Sequence, residues 1–503
     1  MILRTSLMAG LCLSILLCVG CIDEVEPGEG YGVECGQGET LHPIHNVCLP
    51  AGDGDQSGDG DGVGNGDGVG DDGDDSEGDG VDDGDGVDDG DGDDSVGPCT
   101  NWECEQVTCP IDEPTTSITG RVTIPAGTLP LPDVTVFVPN GPLAPMTLGA
   151  SCERCDDQLS GAPLVQTRTD INGEFRLFNV PVGSNVPLVI QIGKWRREVI
   201  LDEVLPCQEN VIEDEDLIRL PRNQSEGSIP RIAVSTGGWD ALECLVRKIG
   251  IDEQEMTNSS GNGAVHLFAG QGGTNRFRAD LHGGASFTSS NPWWNSLTNL
   301  VQYDILLLSC EGSQNPSSKN AAARANLYHF TQAGGRVFLS HWHNYWLQSG
   351  PQAFQSVANW LTTNLSGPQT AYIDSSFPKG ELLRDWMVAT GTEPEGEVAI
   401  DDARGTIQSI NEEVAQRWLW LQDNDLERVQ YFSFNTPVGA EEDQQCGRVV
   451  FSDIHVAAQD ISSTATRFPD GCVTDGFSPQ EKALVYMFFD LANCIIPDGK
   501  GSL

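Results

Sequence analysis

The sequence predicts a multidomain chain: an all-β sandwich followed by a doubly wound α/β domain, preceded by a disordered Asp/Gly linker. Three observations lead there. Residues 51–98 hold 17 Gly and 19 Asp or Glu with no Lys or Arg. Residues 117–206 alternate short apolar strands with Asn, Gly and Pro turns. From Arg231 onward, continuous apolar strands alternate with stretches of helical spacing. At 503 residues the chain is long enough for three or so such units.

The N-terminus comes first. Residues 1–20 carry one early cation, Arg4, then an apolar run ending in small residues, which predicts a signal peptide. No later run reaches the roughly 18 apolar residues a spanning helix needs. Leu17-Cys18-Val19-Gly20-Cys21 resembles a bacterial lipobox, with Cys18 where that pattern prefers Leu. The resemblance implies lipidation of Cys21 and attachment to the cell envelope, at the outer membrane or cell surface; simple secretion is the alternative. Residues 21–50 then form a small lipidated segment holding Cys35 and Cys48.

Residues 51–98 carry −19 of the net charge of −48, leaving −29 for the other 455 residues. Such a segment cannot bury enough apolar surface to order itself. As a flexible coil it spans about 40 Å, and self-repulsion lengthens it. Its Asp-Gly pairs also resemble calcium-chelating loops, which need flanking structure to fix their ligands. The acidic balance excludes a nucleic-acid partner, since phosphate recognition needs a basic face.

Thirteen cysteines follow Cys21, which suits an oxidising compartment. Local spacing predicts disulfides Cys35–Cys48, Cys152–Cys155 and Cys446–Cys472. Cys99, Cys104, Cys109 and Cys207 flank one module and bridge among themselves. The odd total leaves a free thiol, with Cys244, Cys310 and Cys494 as candidates.

Residues 99–210 form the sandwich. Its strands run over Ile118–Ile124, Val134–Pro139, Val165–Thr169, Glu174–Leu177, Leu188–Ile192 and Arg197–Leu201, with a turn at Asp170-Ile171-Asn172-Gly173. Gly120-Arg121-Val122, Thr169-Asp170-Ile171-Asn172-Gly173-Glu174-Phe175 and Val180-Pro181-Val182-Gly183 make this stretch similar to the carboxypeptidase regulatory-like (transthyretin-like) domain. That resemblance implies a non-catalytic accessory role. Residues 211–229 are a second, shorter linker.

Residues 230–495 form the α/β domain. Strands are predicted at Arg231–Ser235, Ala264–Phe268, Asp304–Leu308, Arg336–Ser340, Val429–Phe434 and Arg448–Phe451. Helices are predicted at Asp240–Ile249, Asn320–Gln332 and Pro479–Leu491. Strands apolar throughout belong to a parallel sheet covered on both faces, and ligands of such sheets bind beyond the carboxyl ends of the strands.

Those ends carry Gly237-Gly238-Trp239-Asp240, Ser309-Cys310-Glu311-Gly312, His341-Trp342-His343-Asn344-Tyr345-Trp346 and Ser452-Asp453-Ile454-His455. Tyr303–Leu308, Ala333–His341 and Gly447–Phe451 with His455 resemble the class I glutamine-amidotransferase-like fold, and within it the trehalose-utilisation (ThuA-like) family. The resemblance places His341 on the elbow where amidotransferases carry a nucleophilic Cys, so glutaminase activity is not expected.

The strand ends support three chemistries. A binding pocket would use Trp239, Trp342 and Trp346 as flat apolar faces, with His343 and Asn344 as hydrogen-bonding groups, which suits sugar rings. A hydrolase would use Cys310 as nucleophile, His341 or His455 as base and Asp453 as orienter. A metal site would draw on His341, His343 and His455 with Asp453 or Glu311. Equally, Trp and His at strand ends serve as ordinary core residues. The sequence favours a cell-surface binding role toward carbohydrate or a surface or secreted protein, without a cofactor. The alternative is an enzyme acting on a sugar or amide through His341, His455 and Asp453.

Overall fold

The computed structural model describes residues 39–41, 48–50, 99–155, 157–363, 365, 367–401, 403–455 and 466–497. The expected signal peptide, Cys21, Cys35 and the expected 51–98 linker lie outside the described residues. Glu39–Leu41 and Cys48–Pro50 pair antiparallel, with Leu41 opposite Cys48. The described residues from 99 onward belong to one compact unit. It is mostly β-sheet with some helices, distributed over several sheets.

The first part of that unit contains seven strands: β1 (Ser117–Arg121), β2 (Thr135–Pro139), β3 (Pro163–Arg168), β4 (Glu174–Phe178), β5 (Gly183–Ile192), β6 (Trp195–Val204) and β7 (Glu209–Val211). One sheet has the order β3-β2-β5-β6 and the other β4-β1-β7. Alternation decides which side chains are buried. In β4, Phe175 and Leu177 are buried while Glu174, Arg176 and Phe178 are exposed. These two residues share a hydrophobic cluster with Ile118, Val136, Val138, Leu188 and Ile190 from the two sheets. The turn into β4 uses Asp170, whose Oδ1 accepts from the backbone N–H of Asn172 and Glu174, each at 2.9 Å. Gly173 follows at φ 73°, where a Cβ would stand 2.3 Å from the Val122 carbonyl oxygen.

The 211–229 stretch departs from its expected linker character. Ile218 and Leu220 are fully buried. Arg219, buried between them, holds Glu226 through two hydrogen bonds of 2.7 and 2.9 Å. The apolar alternation within that acidic run drives it onto the fold.

The second part is organised around a mixed sheet. Its parallel strands are β8 (Ile232–Ser235), β9 (Met256–Thr257), β10 (Val265–Ala269), β11 (Ile305–Leu308) and β12 (Arg336–Ser340), joined by β19 (Gly447–Ser452). Between β12 and β19 the chain forms β13 (Ala358–Thr363), β14 (Gln369–Ile373), β15 (Glu397–Ile400), β16 (Gly405–Ile410), β17 (Gln416–Asp423) and β18 (Leu426–Thr436). The sheet order is β9-β10-β8-β11-β12-β19-β18-β17-β14-β15, with Thr288–Ser289 added beside β10. The sequence anticipates β8, β10, β11, β12, β18 and β19, but not the short parallel strand β9. It does not anticipate the antiparallel extension from β18 to β15 or the separate β13–β16 pair. The extension begins at a two-residue turn between β17 and β18, where Asn424 adopts φ 56°.

Helices α1 (Leu242–Lys248), α2 (Ala321–Gln332), α3 (Asn344–Gln348), α4 (Pro378–Ala389) and α5 (Pro479–Ala492) accompany the sheet. Asn320 caps α2 by accepting from the Ala323 N–H, and Ser478 with Glu481 forms a capping box on α5. Most of α5 is buried, including Leu484, Val485, Met487 and Phe488.

The two parts meet through side chains from both. Gly193 in the β5–β6 turn lies so close to α5 that a Cβ would stand 1.9 Å from the Ala492 carbonyl oxygen. Trp195 packs at 5.9 Å from Phe489, and Trp386 in α4 donates to the Pro130 carbonyl at 2.8 Å.

The disulfides correct two local pairings. Cys152 bonds Cys446, Cys155 bonds Cys494, and Cys244 bonds Cys472. Neither Cys152–Cys155 nor Cys446–Cys472 forms. Residues 153–155 run beside the chain after α5: the Ile495 N–H donates to the Glu153 carbonyl and the Cys155 N–H to the Ile495 carbonyl. That pairing sends Cys152 and Cys155 to separate partners. Cys99–Cys104 and Cys109–Cys207 pair within their own group. Among the described residues Cys310 alone is a free cysteine.

Candidate functional site

Strands β8, β11, β12 and β19 are neighbours in the sheet and run parallel, so their carboxyl ends open on one edge. Glycine permits the close crossing there. A Cβ on Gly237 would stand 2.2 Å from the Cys310 carbonyl oxygen. The chain then turns outward, and the Trp239 N–H donates to that same carbonyl at 3.0 Å. The Trp239 ring lies over Gly312, where a Cβ would come within 2.1 Å of it.

Directly after β12, His341 takes φ 42°, a conformation rare for a non-glycine residue. A 3₁₀ turn, His341–His343, then feeds α3. This strand–turn–helix places the His341 ring toward Cys310 and sends His343 into the interior.

His341 Nδ1 stands 3.4 Å from Cys310 Sγ, and the His341 and His455 rings lie 5.3 Å apart. Cys310, His341 and His455 are all buried. Burial pushes the Cys310 thiol up to about 12. Burial, then the charges of His455, Arg404 and His343, pushes His341 down to about 2. The pair is therefore a neutral thiol beside a neutral imidazole. His341 Nε2 is buried with no hydrogen-bond partner among the described residues.

The other candidates separate into two groups. Trp239 is 59% exposed, and Trp342 is half-buried with its ring 4.7 Å from that of His341. Trp346, by contrast, is fully buried and edge-on to Trp294 at 5.2 Å. Its indole N–H donates to His343 Nδ1 at 2.8 Å, and His343 Nε2 donates to the Ser309 carbonyl at 2.8 Å. Both nitrogens of His343 are thus committed, and burial pushes the ring down to about 3. Asn344 is buried and accepts from Gln314 at 3.0 Å. Trp346, His343 and Asn344 are core residues, which removes them from the expected pocket and removes His343 from the expected metal set. Cys310 stands in its place.

Asp453 does not orient a histidine. Its carboxylate accepts from the Thr406 N–H and hydroxyl, each at 2.7 Å, and burial pushes it up to about 7. Thr406 arrives on β16, nearly fifty residues earlier in the chain, and no local signal in the sequence marks it. Glu311 is likewise committed: it pairs with buried Lys319 and accepts from the Gln271 N–H at 3.0 Å. Burial works against its ionisation, and the charges of His343 and Lys319 overcome that. A further buried carboxylate, Asp240, accepts from the Ser340 hydroxyl immediately before His341.

No family model matches the chain, and no curated protein matches it. Among solved structures, a ThuA-like protein from Bacteroides uniformis is 11% identical, with a TM-score of 0.28, over 52% of this chain and 90% of that one. A GMP synthase component from Thermoplasma acidophilum is 10% identical, with a TM-score of 0.29, over 52% of this chain and 92% of that one. Both likenesses are weak.

Proposed function

We propose that this is a lipid-anchored envelope protein whose amidotransferase-like half binds a ligand at its strand ends and does not hydrolyse glutamine. In this reading residues 99–210 are an accessory sandwich, residues 51–98 a spacer, and the lipid on Cys21 the anchor. The ligand class is carbohydrate. The observation that carries the reading is the exposed Trp239, together with the half-buried Trp342, at the carboxyl edge of the sheet. An accessible aromatic face packs against the apolar face of a sugar ring.

The neutral, buried Cys310 supports the absence of amidase chemistry, because the thiolate is the nucleophile. The 3.4 Å approach of His341 to Cys310 is the one observation favouring the hydrolase reading. Binding of the mature chain to a polysaccharide panel, read against Trp239→Ala, tests the proposal. A loss of about tenfold in affinity is expected for one stacked aromatic; unchanged affinity would overturn it. Ammonia released from glutamine and abolished by Cys310→Ala would instead establish the hydrolase.

A further inference from the structure

Cys310, His341 and His455 each offer one ligand atom, and the three atoms lie within 4.8 Å of one another. The residues follow β11, β12 and β19, three consecutive strands of the sheet. They are 0%, 2% and 2% exposed. We infer that these three side chains form a mononuclear site for a divalent ion of the zinc type, with a fourth position open to water or a small ligand.

The donor chemistry fits. One thiolate and two imidazoles form a borderline-soft set that suits zinc over magnesium or calcium. The geometry is close to that required. Bonds of about 2.3 Å to sulfur and about 2.0 Å to nitrogen set a tetrahedral edge of about 3.5 Å, and Cys310 Sγ lies 3.4 Å from His341 Nδ1. The remaining separations are at most 4.8 Å, and side-chain rotation would have to shorten them toward that edge of about 3.5 Å. On binding, the thiol proton leaves to solvent and the thiolate takes its place in the coordination shell.

A second observation points to a ligand. His341 Nδ1 faces the Cys310 thiol and Nε2 is buried without a partner among the described residues, so the ring lacks the two hydrogen bonds that commit His343 to the core. Its backbone is held at φ 42°, and residues kept in sparsely populated conformations cluster at functional sites. The nearby carboxylates do not complete a four-ligand cage, since Thr406 takes Asp453 and Lys319 takes Glu311. Three protein ligands with an open position is the arrangement of a reactive rather than a purely structural zinc centre. The site is independent of the aromatic-face reading and survives its failure.

The full mature chain, stripped with chelator and titrated with Co(II), tests this. One equivalent should produce a thiolate-to-cobalt charge-transfer band in the near ultraviolet together with intense tetrahedral d–d bands. Zn(II) should bleach both. Cys310→Ser should abolish the charge-transfer band, and His455→Ala should weaken zinc binding by about a hundredfold or more, since even outer-sphere changes cost up to that much. Circular dichroism establishes that the variants are folded; if either is not, the wild-type cobalt spectrum decides alone. Absence of the band at one equivalent, or a band that survives Cys310→Ser, would overturn the site.

Discussion

The two ends of the same strands are built for different purposes. At their amino ends β11, β12 and β19 are fastened. Asp304, just before β11, pairs with buried Lys194 and accepts from the Arg231 N–H at 2.6 Å. Lys194 also donates to the Gly149 carbonyl and the Ser151 hydroxyl, each at 2.7 Å. Arg336, opening β12, donates to the Gly334 and Cys446 carbonyls at 2.6 Å. Cys446, just before β19, is bonded to Cys152. At the carboxyl ends the same strands carry a histidine at positive φ and, among the described residues, a free thiol and an unpartnered ring nitrogen on that histidine. Saturated polar groups stabilise, while a buried unsatisfied one calls for an explanation, of which a bound ligand is one.

Breaking the fastened end should cost most. Asp304→Ala strips the buried Lys194 ammonium of its closest carboxylate and leaves it the more exposed Glu153 at 3.3 Å. An expected loss of about 3–5 kcal/mol follows. The urea midpoint reads it, and a loss under about 1 kcal/mol would mean that water or Glu153 makes good the lost partner. Replacing both Cys152 and Cys446 by Ser should remove about 2–5 kcal/mol, because the bond joins residues 294 positions apart. Non-reducing thermal unfolding checks it.

A pH titration separates the regions more finely. Burial raises Asp304 to about 6 and both Asp453 and Glu243 to about 7. Their folded values exceed the unfolded ones near 4, so the native state binds extra protons between about pH 4 and 7. Stability from these groups therefore falls as pH rises through that window. Glu226 acts oppositely: its hydrogen bonds with Arg219 hold it well below the usual carboxylate range, and that contribution is lost as pH falls below the unfolded value. Stability should peak near about pH 5. Asp453→Asn should reduce the downward slope above the peak by up to about 1.4 kcal/mol per pH unit; an unchanged slope would place that carboxylate in contact with water. Smallest of all, Cys310→Ala in the metal-free chain should cost about 1 kcal/mol, the transfer of one small buried group. A loss comparable to Asp304→Ala would erase the contrast between the two ends.

Much of the fold was legible because burial leaves a local mark. Four residues in a row such as Ile305–Leu308 suit a strand covered on both faces, and Ser478 with Glu481 announces α5. The carboxyl-end residues followed from those strands, and Cys310, His341 and His455 were all among the candidates. Their roles were not legible. His343 and His341 are two residues apart with the same chemistry, yet one is bonded at both nitrogens by Trp346 and Ser309 while the other has no partner at Nε2 among the described residues. The antiparallel strands β14, β15 and β17 escaped because they lie at the sheet's far end and interleave polar residues, as in Gln369–Ile373.

The sequence alone determined the longer parallel strands β8, β10, β11, β12 and β19, where those strands end, and that the chain carries an odd number of cysteines after Cys21. These are properties of neighbouring residues: apolar runs, caps and turns act over a few positions. The tertiary structure decided which cysteines meet, which histidine joins Cys310, and that Thr406 rather than a histidine holds Asp453. Each of those outcomes brings together residues that are tens to hundreds of positions apart, and the entropy of closing such loops grows so slowly with length that proximity in sequence does not choose the partner. Packing chooses it.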